Sequence, residues 1–119
     1  MNDFLSFEIT DWMQEELHLK GGTLVAYAIL YSAGSGEPVH IDSQLYCTFE
    51  NVFGGDMYKA IERLVFDGYI EPIDNVGYKP VRDQKQIRKN KAHWEEVRAS
   101  IIMKKSLVDR ISGMTEDTN

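Results

Sequence analysis

DMYKAIERLVFDGYIEPIDNVGYKPV, residues 56–81, decides how the rest of the chain is read. Met57, Ala60, Ile61, Leu64 and Val65 recur at helical intervals and make one apolar face, while Tyr58, Lys59, Glu62 and Arg63 fall largely outside it. Gly68 ends this helix, because a residue without Cβ can take the left-handed conformation that closes a last turn. Residues 69–73 and 78–81 read as two short strands, and Asp74-Asn75-Val76-Gly77 between them supplies the dihedrals a hairpin turn demands. Pro72 and Pro80 each lack a ladder donor, which predicts a short hairpin at a sheet edge.

Working back toward the N-terminus, residues 4–9 alternate loosely and predict a short extended arm. Thr10 or Asp11 then caps a first helix, with Gln14 completing a capping box and Trp12, Met13 and Leu17 forming its apolar face. Lys20-Gly21-Gly22 breaks the helix, and Thr23 is the expected cap of a second. The core of that second helix, LVAYAILY at residues 24–31, is apolar nearly all round, so it belongs at the centre of its domain. Residues 32–36 form a flexible turn, and Pro38-Val39-His40-Ile41 is a brief strand placed to join the hairpin as a third member. Asp42 or Ser43 caps a short third helix from Gln44 to about Phe49, and residues 50–55 turn into the helix quoted above. This order is helix–turn–helix followed by a hairpin, an α+β, mainly α, winged helix-turn-helix with a small antiparallel β-wing.

After Val81 the chain holds no Gly or Pro until Gly113, which predicts one long C-terminal helix. Ile87, Trp94, Val97, Ile101, Val108 and Ile111 keep close to an alternating four-and-three spacing, with Asn90 and Lys104 in the intervening seam positions. Two readings fit: a dimer seam through Trp94, Val97, Ile101 and Val108, or packing within the monomer onto the helix that carries Trp12 and Leu17. The expected divisions are a winged-helix domain over 1–81, a C-terminal helix over 82–112 and a disordered polar tail over 113–119.

A chain of 119 residues, 43% apolar, has the size and composition of a single globular domain. No apolar run approaches the roughly 18 residues of a membrane span, and the acidic start Met1-Asn2-Asp3 leads to no signal-peptide pattern, so the expected location is the cytoplasm. Cys47 is the only cysteine, which excludes an internal disulfide and a cysteine-rich zinc site; its expected place is in the core as a small hydrophobe. The net charge of −6 hides an asymmetry. Residues 1–78 carry three Lys/Arg against thirteen Asp/Glu, a balance of −10, whereas residues 79–119 carry ten against six, a balance of +4. A polyanion would meet the protein at the second wing strand and beyond.

No catalytic constellation emerges. His18, His40 and His93 lie in different elements without ligand spacing. Glu15-Glu16 and Glu95-Glu96 are adjacent on helices, where neighbours point about a hundred degrees apart and share no substrate. Gly54-Gly55 has no Lys-Ser/Thr after it and is turn geometry rather than a phosphate loop. Neither an enzyme, nor a cofactor, nor a metal is expected.

At residues 17–31, Leu-x-Leu-x-Gly followed by LVAYAILY, and at residues 60–70, AIERLVFDGYI, the chain resembles small winged-helix proteins of Gram-positive mobile elements. Phage and plasmid replication-initiator N-terminal domains and short transcriptional regulators share that theme. The resemblance implies a DNA-binding protein, a transcriptional regulator or a replication accessory factor, with double-stranded DNA as its partner. The departure lies at Phe53-Gly54-Gly55-Asp56, where such proteins usually carry Ser or Thr, Arg and Lys at the start of the recognition helix. Asp56 suits the helix dipole and repels phosphate. Tyr58, Lys59 and Arg63 remain as groove contacts, but the main contact is expected from the wing and the long helix, with Lys79, Arg82, Lys85, Arg88 and Lys89 on the DNA backbone; the alternative for this basic run is a solvated outer face. The expected assembly is a homodimer. The competing function is a winged helix that binds a protein partner and no DNA, motivated by the acidic helix start.

Overall fold

The computed structural model describes residues 5–117, with side chains described for residues 5–105. Five helices and two strands follow one another as α1 (Asp11–Glu15), α2 (Gly21–Gly34), α3 (Ser43–Val52), α4 (Met57–Phe66), β1 (Ile70–Ile73), β2 (Gly77–Pro80) and α5 (Gln84–Asp117). The class is α+β, mainly helical, in an arrangement compatible with a winged helix-turn-helix. Among the described residues no helix is long and apolar enough to cross a membrane.

The apolar run of α2 is the centre. Every residue from Leu24 to Leu30 is buried, and α1, α3 and α4 pack their apolar faces around it. Tyr27 carries the one polar tip in this run, and its hydroxyl donates to the carbonyl of Val81 at 2.8 Å, tying the central helix to the chain as it leaves the wing. Trp12 of α1 meets Tyr27 and Tyr31 edge-on, at centroid distances of 6.0 and 5.1 Å.

Helix starts follow the sequence at two places and depart from it at two others. Asp42 accepts from the Leu45 amide at 3.0 Å, and Asp56 accepts from the Tyr58 amide at 2.9 Å, so α3 and α4 are capped by carboxylates. α3 runs on to Val52, beyond the expected end near Phe49. Thr10 takes the extended cap conformation without a side-chain cap bond; the Met13 amide donates to the Thr10 carbonyl instead, so the expected box with Gln14 does not form. α2 starts at Gly21, two residues before the expected cap, and the Thr23 hydroxyl lies inside the first turn, donating to the Lys20 carbonyl at 2.8 Å.

β1 and β2 pair antiparallel from Ile70↔Pro80 to Ile73↔Gly77. The expected third strand shrinks to one bridge, Val39 with Tyr78, made by two hydrogen bonds of 2.9 and 2.8 Å. Pro80, two residues further along β2, has no N–H with which to extend that ladder. Gly77 has φ 134°, and a Cβ there would strike the Val39 carbonyl.

α5 packs its first turns on its own domain. Asn90 donates to the Gly68 carbonyl at 3.1 Å and to the Glu71 carboxylate at 2.9 Å, and Gln86 donates to the Asn90 side chain at 2.8 Å. Ile87 is buried, Trp94 stands edge-on to Phe66 at 5.6 Å, and the Arg98 guanidinium lies 4.2 Å from the centre of the Phe66 ring. The seam read from the sequence is therefore divided. Its first members, Ile87, Asn90 and Trp94, serve the monomer, and their partners lie on α4 and the wing rather than mainly on α1, while Val97 is half-buried. Beyond Arg98 the helix leaves the body, with Ile101, Ile102 and Met103 exposed to 59, 68 and 72%. The side chains of Val108 and Ile111 lie outside the described residues. The α5 backbone continues past Gly113 to Asp117, through most of the expected tail; residues 118–119 lie outside the described residues.

Candidate nucleic-acid interface

α4 buries Met57, Ile61, Leu64 and Val65 and turns Tyr58, Lys59, Glu62 and Arg63 outward, as their spacing requires. Lys59 and Arg63 face the beginning of α2 across an open cleft of about 620 Å³ that His18, Lys20, Gly22, Phe53 and Asp56 also line. A second cleft, of about 350 Å³, shares Lys59 and Arg63 and is completed by Glu62, Phe66, Asp67 and Arg98. The two clefts are contiguous along α4. Lys20, Lys59, Arg63 and Arg98, which come from three parts of the chain, therefore line one path.

The charges on this path are unequal in freedom. Arg63 stands 3.9 Å from Asp67, one turn along the helix, which is a weak exposed pair. Lys20, Lys59 and Arg98 form no ion pair among the described residues. α2 also begins here without a side-chain cap, so its unsatisfied amides add the positive end of a helix dipole to the same cleft. Asp56 and Asp67 oppose, but Asp56 already accepts from the Tyr58 amide.

Tyr58 lies apart from these cations. Its ring packs against Tyr46 of α3 with centroids 5.6 Å apart, on the flank of α4 turned toward α3. The three recognition-helix residues singled out in the sequence thus divide, Lys59 and Arg63 on one flank and Tyr58 on the other.

The basic run after the wing also divides. Arg82 makes a two-pronged pair with Glu16, at 3.2 Å from Nε and 3.1 Å from Nη2, and its guanidinium lies 4.3 Å from the centre of the Trp12 ring. The hydrogen bond from Arg82, aided by its charge, holds the Glu16 carboxyl below its ordinary range, and the same bond raises Arg82. Gln84 adds a bond to the Glu16 carbonyl at 3.2 Å, so this junction fastens α1 to the start of α5. Arg82 is spent on that junction. Lys85, Arg88 and Lys89 are exposed without ion-pair partners among the described residues; spacing puts Lys85 and Lys89 on the side of α5 opposite Ile87 and Trp94, while Arg88 lies on the flank toward Glu16 and His18. Asp83, the acid within the run, accepts from the Lys85 amide at 3.0 Å at the start of α5. Lys79 is exposed and sits directly across β1 and β2 from Glu71.

Arg98, Lys20 and His18 escaped the sequence reading. Lys20 reads there only as part of a helix break, and Arg98 lies far from Lys59 in sequence; only the packing of Trp94 and Arg98 on Phe66 brings it to α4. Cys47 is a correction: it is a free, exposed thiol, because α3 turns Leu45, Thr48 and Phe49 inward instead. Thr48 fits the interior because its hydroxyl donates to the Gln44 carbonyl and accepts from the Leu5 amide, both at 2.8 Å. His18, His40 and His93 are all exposed, and no three His, Cys, Asp or Glu side chains converge on a metal site among the described residues.

The chain matches no protein-family model, no curated protein and no solved structure.

Proposed function

We propose that this chain is a DNA-binding winged-helix protein that holds the phosphate backbone along the cation-lined clefts of α4. The observation that carries the reading is the convergence of Lys20, Lys59, Arg63 and Arg98 on two contiguous open clefts beside an uncapped helix start. Lys79, Lys85, Arg88 and Lys89 supply a second set of exposed cations from the wing and α5. The residues available suit backbone contact better than base reading, since the clefts are lined by Lys20, Lys59, Arg63 and Arg98 while Tyr58, the aromatic outward residue of α4, packs on Tyr46. Such a role belongs to the cytoplasm and to a regulator or replication accessory factor of a mobile element, as the resemblance implies.

The same reading includes a homodimer through the part of α5 that leaves the body. A helical arm with Ile101, Ile102 and Met103 exposed gains little stability by itself and is covered by pairing. Ile101→Asp should convert a dimer into a monomer in sedimentation velocity; a wild-type chain that sediments as a monomer at all concentrations removes this part.

Fluorescence anisotropy with a labelled duplex over a series of salt concentrations tests DNA binding. The triple change Lys59→Ala, Arg63→Ala, Arg98→Ala should lower the slope of log affinity against log salt by about 2–3, since each phosphate contact contributes about 0.9. No binding of any duplex at low salt would defeat the proposal. An unchanged slope in the triple variant, with binding intact, would move the contact away from α4.

A further inference from the structure

We infer that the flank of α4 turned toward α3, built by Tyr46, Glu50, Asp56 and Tyr58, is a docking surface for an arginine-bearing basic segment of another protein. Tyr46 and Tyr58 lie with ring centroids 5.6 Å apart at an interplanar angle of 35°, and Tyr58 remains 51% exposed. Asp56 joins them: one carboxylate oxygen accepts from the Tyr58 amide at 2.9 Å and lies 3.5 Å from the Tyr46 hydroxyl. Glu50 is one turn after Tyr46 on α3, and Phe53, 54% exposed, follows at the next position of the same helix face. Burial first, and then the charges of Asp56 and Glu50, push the Tyr46 hydroxyl above its ordinary range, so both carboxylates act on the same spot. Neither forms an ion pair among the described residues.

The chain already shows what these ingredients hold. Arg82 lies over Trp12 while Glu16 takes its two nitrogens, an aromatic face and a carboxylate sharing one guanidinium. Arg98 likewise lies over Phe66. The Tyr46–Tyr58 flank presents aromatic faces and two carboxylates that hold no cation in an ion pair among the described residues. Tyrosine faces are negative, as are the carboxylates, so the surface repels phosphate and favours a cation. A guanidinium suits it better than an ammonium, because a planar fork can stack on Tyr58 and donate sideways to Asp56 or Glu50. Tyr46, Glu50 and Tyr58 lie outside the cleft that gathers Lys20, Lys59 and Arg63, and Asp56 stands between the two surfaces.

Titration of the ¹⁵N-labelled full chain with an acetylated, amidated tetra-arginine peptide tests the proposal. Saturable amide shifts should centre on Tyr46, Glu50, Asp56 and Tyr58, and a tetra-glutamate peptide should cause none there. Tyr58→Ala and Glu50→Gln, both exposed and able to fold, should each weaken peptide binding about threefold or more. Glu50→Gln should leave duplex binding unchanged, so loss of the peptide effect and loss of DNA binding are separate results. Shifts that are as large around Asp11, Glu15 and Glu37 would show general attraction to an acidic protein and overturn the site. So would wild-type peptide affinity in both variants, or shifts at these amides that depend on protein concentration without peptide, which would identify a second copy as the occupant.

Discussion

Replacing Gly68 by alanine probes the contact that seats α5 on the domain. Gly68 has φ +91°, and a Cβ there would run into the Ile87 carbonyl oxygen, with the Ile87 carbonyl carbon at 3.1 Å and the Lys91 amide nitrogen at 3.0 Å. These are backbone atoms of a helix and cannot swing aside. Gly54 and Gly55 provide the control, since their φ values of +89° and +91° are alike and a Cβ at either meets nothing within 4 Å. Alanine at Gly54 or Gly55 should therefore carry only the backbone strain, about 1–2 kcal/mol. At Gly68 the same strain is joined by displacement of α5. That weakens the Asn90 bond to the Gly68 carbonyl, about 1 kcal/mol, and uncovers part of buried Ile87, another 1–2 kcal/mol or so. Gly68→Ala should thus cost about 3–5 kcal/mol, a large share of the roughly 5–15 kcal/mol that holds a domain. Urea unfolding of the three variants, compared at a common slope, measures the difference. A cost at Gly68 within about 0.5 kcal/mol of that at Gly54 would refute the packing of α5 at this point.

Tyr27→Phe removes the hydroxyl that satisfies the buried Val81 carbonyl and should cost about 1–3 kcal/mol in the same assay, with the fold unchanged by circular dichroism. Asp42→Ala deletes the α3 cap and should cost about 1 kcal/mol, whereas Asp42→Asn, which keeps a capping oxygen, should restore most of it. Glu16 is held below its ordinary carboxyl value of 4.5, foremost by the hydrogen bond from Arg82. The sign follows from a depressed folded value: the contribution is present at neutral pH and lost as pH falls below 4.5 toward the folded value. Melting temperature followed from neutral pH into this acidic range should fall less in Glu16→Gln than in wild type; parallel curves would show that the Arg82 junction adds nothing to stability.

The local elements are written in short-range chemistry and were legible in the chain alone. Periodic apolar residues set α4, Asp42 and Asp56 cap α3 and α4, and Gly68, Asn75 and Gly77 take the positive φ values that stop the helix and turn the wing. The apolar circumference of residues 24–30 likewise foretold a central helix. Tertiary packing decided what each charge does. Arg82 and Lys85 are three residues apart in one basic run, yet Arg82 is clamped between Glu16 and Trp12 while Lys85 stays free in solvent. Arg98 joins Lys59 and Arg63 only because Trp94 packs on Phe66. Capping by Asp42 and Asp56, the wing turn and the burial of residues 24–30 depend on neighbours within a helical turn, which a sequence records as spacing, although Thr10, Thr23 and Cys47 departed from it. Which cation meets which carboxylate, aromatic face or open cleft depends on contacts between distant segments, and no period in the chain encodes them.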